Sequence, residues 1–263
     1  MPETDLDLLI SAARAAGEVA CRFTGPEAQV WDKPGGAGPV TEADLAVNAV
    51  LEERLRGARP DYGWLSEESV DGPGRLSRRR AFIVDPIDGT RSFIEGTRTW
   101  AHSLAVVEDG AAVAGVVYLP MRDKMYAAAR GQGATLNGTP LRVSDAGGLS
   151  GSSVLAAKPA FEAVHWRAGQ APDMARGFRP SLAYRLALVA EGRFDAMMTL
   201  RATWEWDIAA GDVILREAGA VTSDRAGGAL RYNKPVAKVD GVLAGNPAVH
   251  GALLDALAPG AGR

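Results

Sequence analysis

In the second half of the chain, strand-like and helix-like apolar runs take turns. A strand at 153–157 is followed by a helix at 181–191, a strand at 194–200, a helix at 206–218, a strand at 219–223 and a helix from about 247. Such alternation restricts a chain to layered α/β packing, because every apolar sheet face and helix stripe has to be covered by another element. The first half is α+β. Residues 3–24 and 41–56 read as helices, the second with Val47, Val50, Leu51 and Leu55 on one face. Residues 81–86, 103–108, 111–119 and 124–129 read as strands, and Glu108-Asp109-Gly110 as a tight turn between two of them. "VSDAGGLSG" at 143–151 reads as a linker, dividing the chain into halves 1–145 and 146–263. "KPGGAGP" at 33–39 reads as a mobile loop and "RLSRRR" at 75–80 as a solvated one.

Composition narrows the function. Net charge is -3, from 29 basic and 32 acidic side chains, which gives no electrostatic case for binding a nucleic-acid polymer or for a polybasic membrane anchor. No apolar run approaches about 18 residues, so no membrane span is expected. The acidic start "MPETDLDLLI" lacks the pattern of a secretory signal, and Cys21 is the single cysteine, so a cytoplasmic location is expected. Cys21 lies in the first helical stretch and is read as core packing. His102, His165 and His250 share no ligand spacing, so any metal should be hard and oxygen-ligated rather than zinc.

The apolar run Ala81-Phe82-Ile83-Val84 opens directly onto "DPIDGTRSFIEG" at 85–96. Asp, Pro and Gly are common turn residues, so a plain turn is one reading. The other is a metal and phosphate site. Two carboxylates this close repel each other unless a cation lies between them, and Gly89 and Thr90 lead into a helix start whose free N–H groups suit an anion. Three further acidic stretches bear on the choice. In "WEWDIAAGDVILREAGA" Asp207 sits at a helix start, where it could equally serve the helix dipole. In "VTEAD" Thr41 and Asp44 match a capping box. In "WLSEES" Glu67 and Glu68 end a strand, so at most one of them faces a given site.

Taken together and in this order, "VTEAD", "WLSEES", "DPIDGT" and "WEWDIAAG" resemble the signature set of the inositol monophosphatase superfamily. The resemblance runs over nearly the whole chain. It implies a layered αβαβα sandwich, frequent homodimers and Mg²⁺-dependent hydrolysis of small-molecule phosphate monoesters, with two to three ions per active site. Carried over by position, Glu67, Asp85 and the carbonyl of Ile87 would hold a first ion. Asp85, Asp88 and Asp207 would hold a second, and a third would lean on Glu67 and water. Asp44 and Thr90 would orient and deprotonate the attacking water, while the amides of Gly89 and Thr90 hold the phosphate.

Substrate choice rests on fewer residues. Members that hydrolyse inositol monophosphates commonly carry a carboxylate several residues before the last metal aspartate, to contact sugar hydroxyls. Leu200 and Arg201 stand there in this chain. An arginine favours an extra anionic group. "RPSLAYRLALVAEGRFDAM" resembles the corresponding region of 3′(2′),5′-bisphosphate nucleotidases, with Ser181 and Arg185 approaching the substrate. "GTRSF" also occurs in histidinol-phosphatase-like members. The expected order is therefore bisphosphate nucleotidase, then inositol monophosphatase, then histidinol phosphatase. A phospho-ligand sensor is the non-enzyme alternative. If Asp88 is a metal ligand, Asp88→Asn abolishes phosphate release while circular dichroism shows an intact fold; unchanged turnover would remove it from the ligand set.

Overall fold

The computed structural model describes residues 3–23, 29–33 and 38–259. Helix α1 (Asp5–Ala20) begins at a capping box in which Thr4 accepts from the Asp7 amide. A short antiparallel pair, β1 (Val30–Asp32) and β2 (Pro39–Thr41), leads into α2 (Glu42–Ala58). Next come β3 (Gly63–Ser66), β4 (Arg80–Asp88), the single-turn helix α3 (Thr90–Ile94), β5 (Ala101–Glu108), β6 (Ala111–Leu119), β7 (Lys124–Ala129), β8 (Ala134–Leu136) and β9 (Thr139–Pro140). Strands β3 to β9 form one seven-stranded sheet in sequence order; β3 and β4 are parallel and the other pairs antiparallel.

The rest of the chain comprises β10 (Ser152–Leu155), β11 (Met174–Gly177), α4 (Leu182–Ala190), β12 (Ala196–Trp204), α5 (Glu205–Glu217), β13 (Val221–Ser223), β14 (Lys238–Gly245) and α6 (Pro247–Ala256). Its strands make a five-stranded mixed sheet in the order β11-β10-β12-β14-β13.

Side-chain alternation along single strands shows how these elements stack. Phe82 and Val84 of β4 face Leu9 and Ala13 of α1 and Val47 and Leu51 of α2. Ile83, between them, faces the opposite way, into a core shared by α4, α5 and the second sheet. In β12, Met197 joins that same core while Ala196 and Met198 pack with Val249 and Leu253 of α6. Both sheets are thus apolar on both faces, which requires a helix layer on each side. The result is the expected five-layer αβαβα arrangement. No helix among the described residues is long and apolar enough to cross a membrane.

Several sequence expectations change. Helix α1 stops at Ala20, and Cys21 lies in an exposed 3₁₀ turn rather than in the core, because it falls beyond the helix face that packs on the sheet. Strand β4 continues to Asp88 and β12 to Trp204, each through a register irregularity that simple periodicity does not reveal. Of the Gly- and Pro-rich segment 33–39, residues 34–37 lie outside the described residues, and Pro39 takes part in the β1–β2 pair. Arg75, expected in a solvated loop, is only 4% exposed. The linker 143–151 is irregular but tied down: Val143 N–H donates to the Ala218 carbonyl and Ser144 Oγ to Asp195.

Helix α5 carries Asp207 and seats closely on the large sheet. A Cβ built on Gly115 of β6 would lie 2.6 Å from Val213 Cγ1 and 2.8 Å from the Ala210 carbonyl oxygen. Backbone cannot yield cheaply there, and overpacking of this kind costs about 1–3 kcal/mol. Gly115→Ala should lower the thermal midpoint by several degrees, at about 2–4 °C per kcal/mol, with weaker metal binding because α5 is displaced. A wild-type midpoint in calorimetry would disprove the close seating.

Candidate active site

The site is built at the carboxyl end of β4. On a regular strand, residues three apart face opposite sides of the sheet. Here Asp85 pairs with Ser103 and Asp88 with Ala101, so β4 has one residue more than β5 over this interval. This bulge turns both aspartates toward the same cleft. Pro86, which has no N–H to lose, sits in it. Its carbonyl accepts from His102 Nδ1, and burial lowers the His102 pKa to about 4, which keeps the ring neutral. His102 therefore supports the bulge, a role that metal-ligand spacing could not suggest.

Carboxylate oxygens of Glu67, Asp85 and Asp207 come within 4.8 Å of one another. They arrive from the turn after β3, from the β4 bulge and from the first turn of α5. Glu67 and Glu68 lie past the strand, so strand alternation does not govern them. Lys33 Nζ reaches both, at 2.7 Å from Glu67 and 2.5 Å from Glu68, but only Glu67 joins the acidic cluster. Sequence reasoning placed Lys33 in a mobile loop and missed this contact. Burial raises Asp85 well above the usual carboxylate range, and the charges of Glu67, Asp88 and Asp207 add to it. Asp207 is raised in the same way, by burial first and then by Asp88 and Glu67. All three ligand atoms are hard carboxylate oxygens that repel one another, so the donor set fits a divalent oxygen-seeking cation.

Asp88 is held from the other half of the chain. Its Oδ2 accepts from Ser181 Oγ at 2.7 Å and from the Ala183 amide at 2.6 Å. Ser181 also caps α4, accepting from the Tyr184 amide at 3.0 Å. Its hydroxyl both donates and accepts here, and Ser181 does not line the cleft; the bond it makes to Asp88 positions that carboxylate. Gly89 has φ 95°, a left-handed conformation that favours glycine, and an added Cβ would come 3.3 Å from Ser181 Cβ.

Asp44 both caps α2 and contacts Thr90. Its Oδ2 completes the capping box, accepting from the Thr41 amide at 2.8 Å and the Thr41 hydroxyl at 2.5 Å. Its Oδ1 faces Thr90, whose hydroxyl donates to it at 3.4 Å and to the Ile87 carbonyl at 3.3 Å. Asp44 lies behind Thr90 and does not itself line the cleft.

The cleft encloses about 880 Å³. Away from the carboxylates it is walled by Phe178, Arg185, Leu200, Arg201 and Trp204. Arg185 is not a solvated helix residue. It is 8% exposed, its guanidinium sits 4.4 Å from the Phe178 ring centroid, and its Nε donates to the Arg179 carbonyl. Arg201 is exposed at the rim, and its charge acts on Asp207. Trp204 stacks on Trp206 at 4.5 Å.

The sequence profile of the inositol monophosphatase family matches residues 1–260. The chain belongs to the inositol monophosphatase family. It is 36% identical over 258 residues to Nus factor SuhB of Escherichia coli strain K12, spanning 95% of this chain and 94% of that protein. It is 34% identical over 265 residues to inositol-1-monophosphatase of Mesorhizobium japonicum, spanning 96% and 95%. Among solved structures it superposes on the SuhB protein of Bartonella henselae with TM-score 0.82 and 33% identity, covering 97% and 98%. On the Thermotoga maritima IMPase the TM-score is 0.80, with 29% identity and 95% of each chain covered. The protein is accordingly a metal-dependent phosphatase that hydrolyses phosphate monoesters.

Burial also pushes Asp44 and Asp88 up to about 6. An unfolded aspartate titrates near about 4, so the folded, metal-free site holds extra protons. The stability they provide is present at low pH and is lost as pH rises through about 6. A cation must displace those protons. The rise in thermal midpoint on adding Mg²⁺, relative to EDTA, should be small near pH 5 and grow as pH rises through about 6. A shift independent of pH would contradict the assignment.

Proposed function

We propose that this enzyme hydrolyses inositol monophosphate or a closely similar polyol phosphate, with Mg²⁺ held by Glu67, Asp85 and Asp207, and Asp88 completing the set. The observation that carries the reading is the convergence of three carboxylates at one end of a cleft, in a chain whose relatives include an inositol-1-monophosphatase. Bound there, Mg²⁺ supplies charge to offset the phosphate and makes a water molecule more acidic. Two to three ions per site remain part of the proposal, the Ile87 carbonyl serving as a further oxygen donor.

The chain's own residues do the rest. The Gly89 and Thr90 amides, at the left-handed turn, hold the phosphate oxygens. The Thr90 hydroxyl, aligned by Asp44 and the Ile87 carbonyl, orients the attacking water. Asp44, raised to about 6, is a base matched to near-neutral pH and accepts the proton through Thr90. Action on a small molecule by a cytoplasmic homodimer, with no nucleic-acid polymer or membrane anchor, belongs to the same proposal, as does the division into halves 1–145 and 146–263.

This ordering reverses the sequence-based one, which put adenosine 3′,5′-bisphosphate first. A relative over nearly the whole chain carries the name inositol-1-monophosphatase, which supports the polyol reading. One observation keeps the bisphosphate as a second reading: Arg185 and Arg201 both line the cleft, and apolar Leu200 stands beside them. Two guanidinium groups on the leaving-group side suit a second anion better than a ring of hydroxyls.

Mg²⁺-dependent phosphate release from inositol 1-phosphate, adenosine 3′,5′-bisphosphate and histidinol phosphate, compared as kcat/KM, tests the order. Inositol 1-phosphate should lead by about tenfold or more. A lead for the bisphosphate that collapses in Arg201→Ala would install the second reading. No release from any of the three would overturn both and revive the sensor alternative.

A further inference from the structure

The Glu67 amide donates to the Val84 carbonyl beside Asp85 at 3.2 Å, and Ser103, the β5 partner of Asp85, donates to the Trp206 carbonyl at 2.8 Å. Among the described residues, however, no direct hydrogen bond joins the Glu67 turn to the start of α5. Glu67 sits on a turn, and Asp207 lies in the first turn of α5, where the N-cap residue Trp204 provides no side-chain cap. The missing side-chain cap and mutual repulsion should both loosen that turn, which the Glu205 amide, donating to the Ala237 carbonyl at 3.0 Å, holds only at its first residue. A buried polar chain distant from the cleft opposes this.

Arg75 is its hub. Nε and Nη2 donate to Asp71 Oδ1 and Oδ2 at 2.7 and 2.8 Å, a bidentate grip on the loop that continues from Glu67. Nη1 donates to Asn233 Oδ1 at 2.8 Å and Nη2 to the Lys234 carbonyl at 2.9 Å, across 158 and 159 residues of sequence. Asn233 returns the bond, its Nδ2 donating to the Arg75 carbonyl at 3.1 Å. The amides of the same two residues then donate to Glu205, at 2.6 Å for Asn233 and 3.3 Å for Lys234. Glu205 is 0% exposed, does not line the cleft, and lies two residues before Asp207 on α5. Arg75 also packs on the start of β3, where a Cβ on Gly63 would meet its Cβ at 2.9 Å.

We propose that Arg75, Asn233 and Glu205 are positioning residues that fix Asp207 relative to Glu67 and thereby set metal affinity. A buried glutamate answered by two backbone amides and by the charges of Lys234 and Arg75 is costly to keep for packing alone. The chain joins the Glu67 loop to the Asp207 helix without entering the cleft. It touches neither metal nor substrate, so its effect is on geometry.

The test is Mg²⁺ binding by calorimetry without substrate, on wild type, Asn233→Gly and Asn233→Asp. Asn233 has φ 57°, which glycine adopts freely, so Asn233→Gly removes both side-chain bonds to Arg75 and keeps the amide on Glu205. Supporting residues around metal ligands are worth about 10–100-fold in affinity. Asn233→Gly should therefore bind Mg²⁺ about tenfold more weakly, with kcat recovering at saturating metal. Asn233→Asp retains the acceptor for Arg75 and should recover to within about threefold. Should Asn233→Gly fail to fold, Asp71→Asn, at the exposed end of the chain, gives the same readout. Wild-type affinity, within about twofold, in Asn233→Gly, or in Asp71→Asn where Asn233→Gly does not fold, overturns the proposal. The inference rests on metal being held by Glu67, Asp85 and Asp207, and absence of Mg²⁺ binding by wild type would sink that reading instead.

Discussion

Repulsion among buried carboxylates is the constraint around which this structure is arranged. Glu67, Asp85 and Asp207 are brought within 4.8 Å, with Asp88 and Asp44 close behind. Left to themselves these groups would separate or take up protons. The fold spends much of its stability keeping them together: a bulged strand, a helix seated against Gly115, and Ser181 on Asp88 from the opposite half of the chain. Lys33 answers part of the charge through Glu67 and Glu68. A metal ion bound there would answer the rest, and its binding would be linked to the local fold.

The layers explain why such an arrangement holds. Both sheets are buried on both faces, and α4 and α5 lie between them in one continuous core. The amino ends of these two inner helices lie beside the carboxyl end of β4. Asp88 meets the first residues of α4, and Asp207 enters from the first turn of α5. Site and core therefore share elements, and loosening one loosens the other.

One residue can also serve two ends that sequence reasoning treats as alternatives. Asp44 caps α2 with one oxygen and aligns Thr90 with the other. Ser181 caps α4 and holds Asp88 with the same hydroxyl. In both cases a helix terminus, already rich in unsatisfied amides, is where a functional group can be fixed at little extra conformational cost.

The sequence by itself determined the elements and the ligand types. Strands β6 and β7 fall at 111–119 and 124–129 as their apolar patterns require, and the four acidic motifs, in order, identify the family. Those features are local: period, turn chemistry and residue type are written in consecutive residues. What only tertiary structure decided involves partners far apart in the chain. The β4 bulge shows only in register with β5. Arg75, in a run of arginines that looks solvated, is buried because Asp71, Asn233 and Lys234 converge on it. Cys21 is exposed although its neighbours belong to an apolar helix, because that helix ends one residue earlier. The side chains that face substrate or one another depend on how five layers meet, and no window of consecutive residues contains that information.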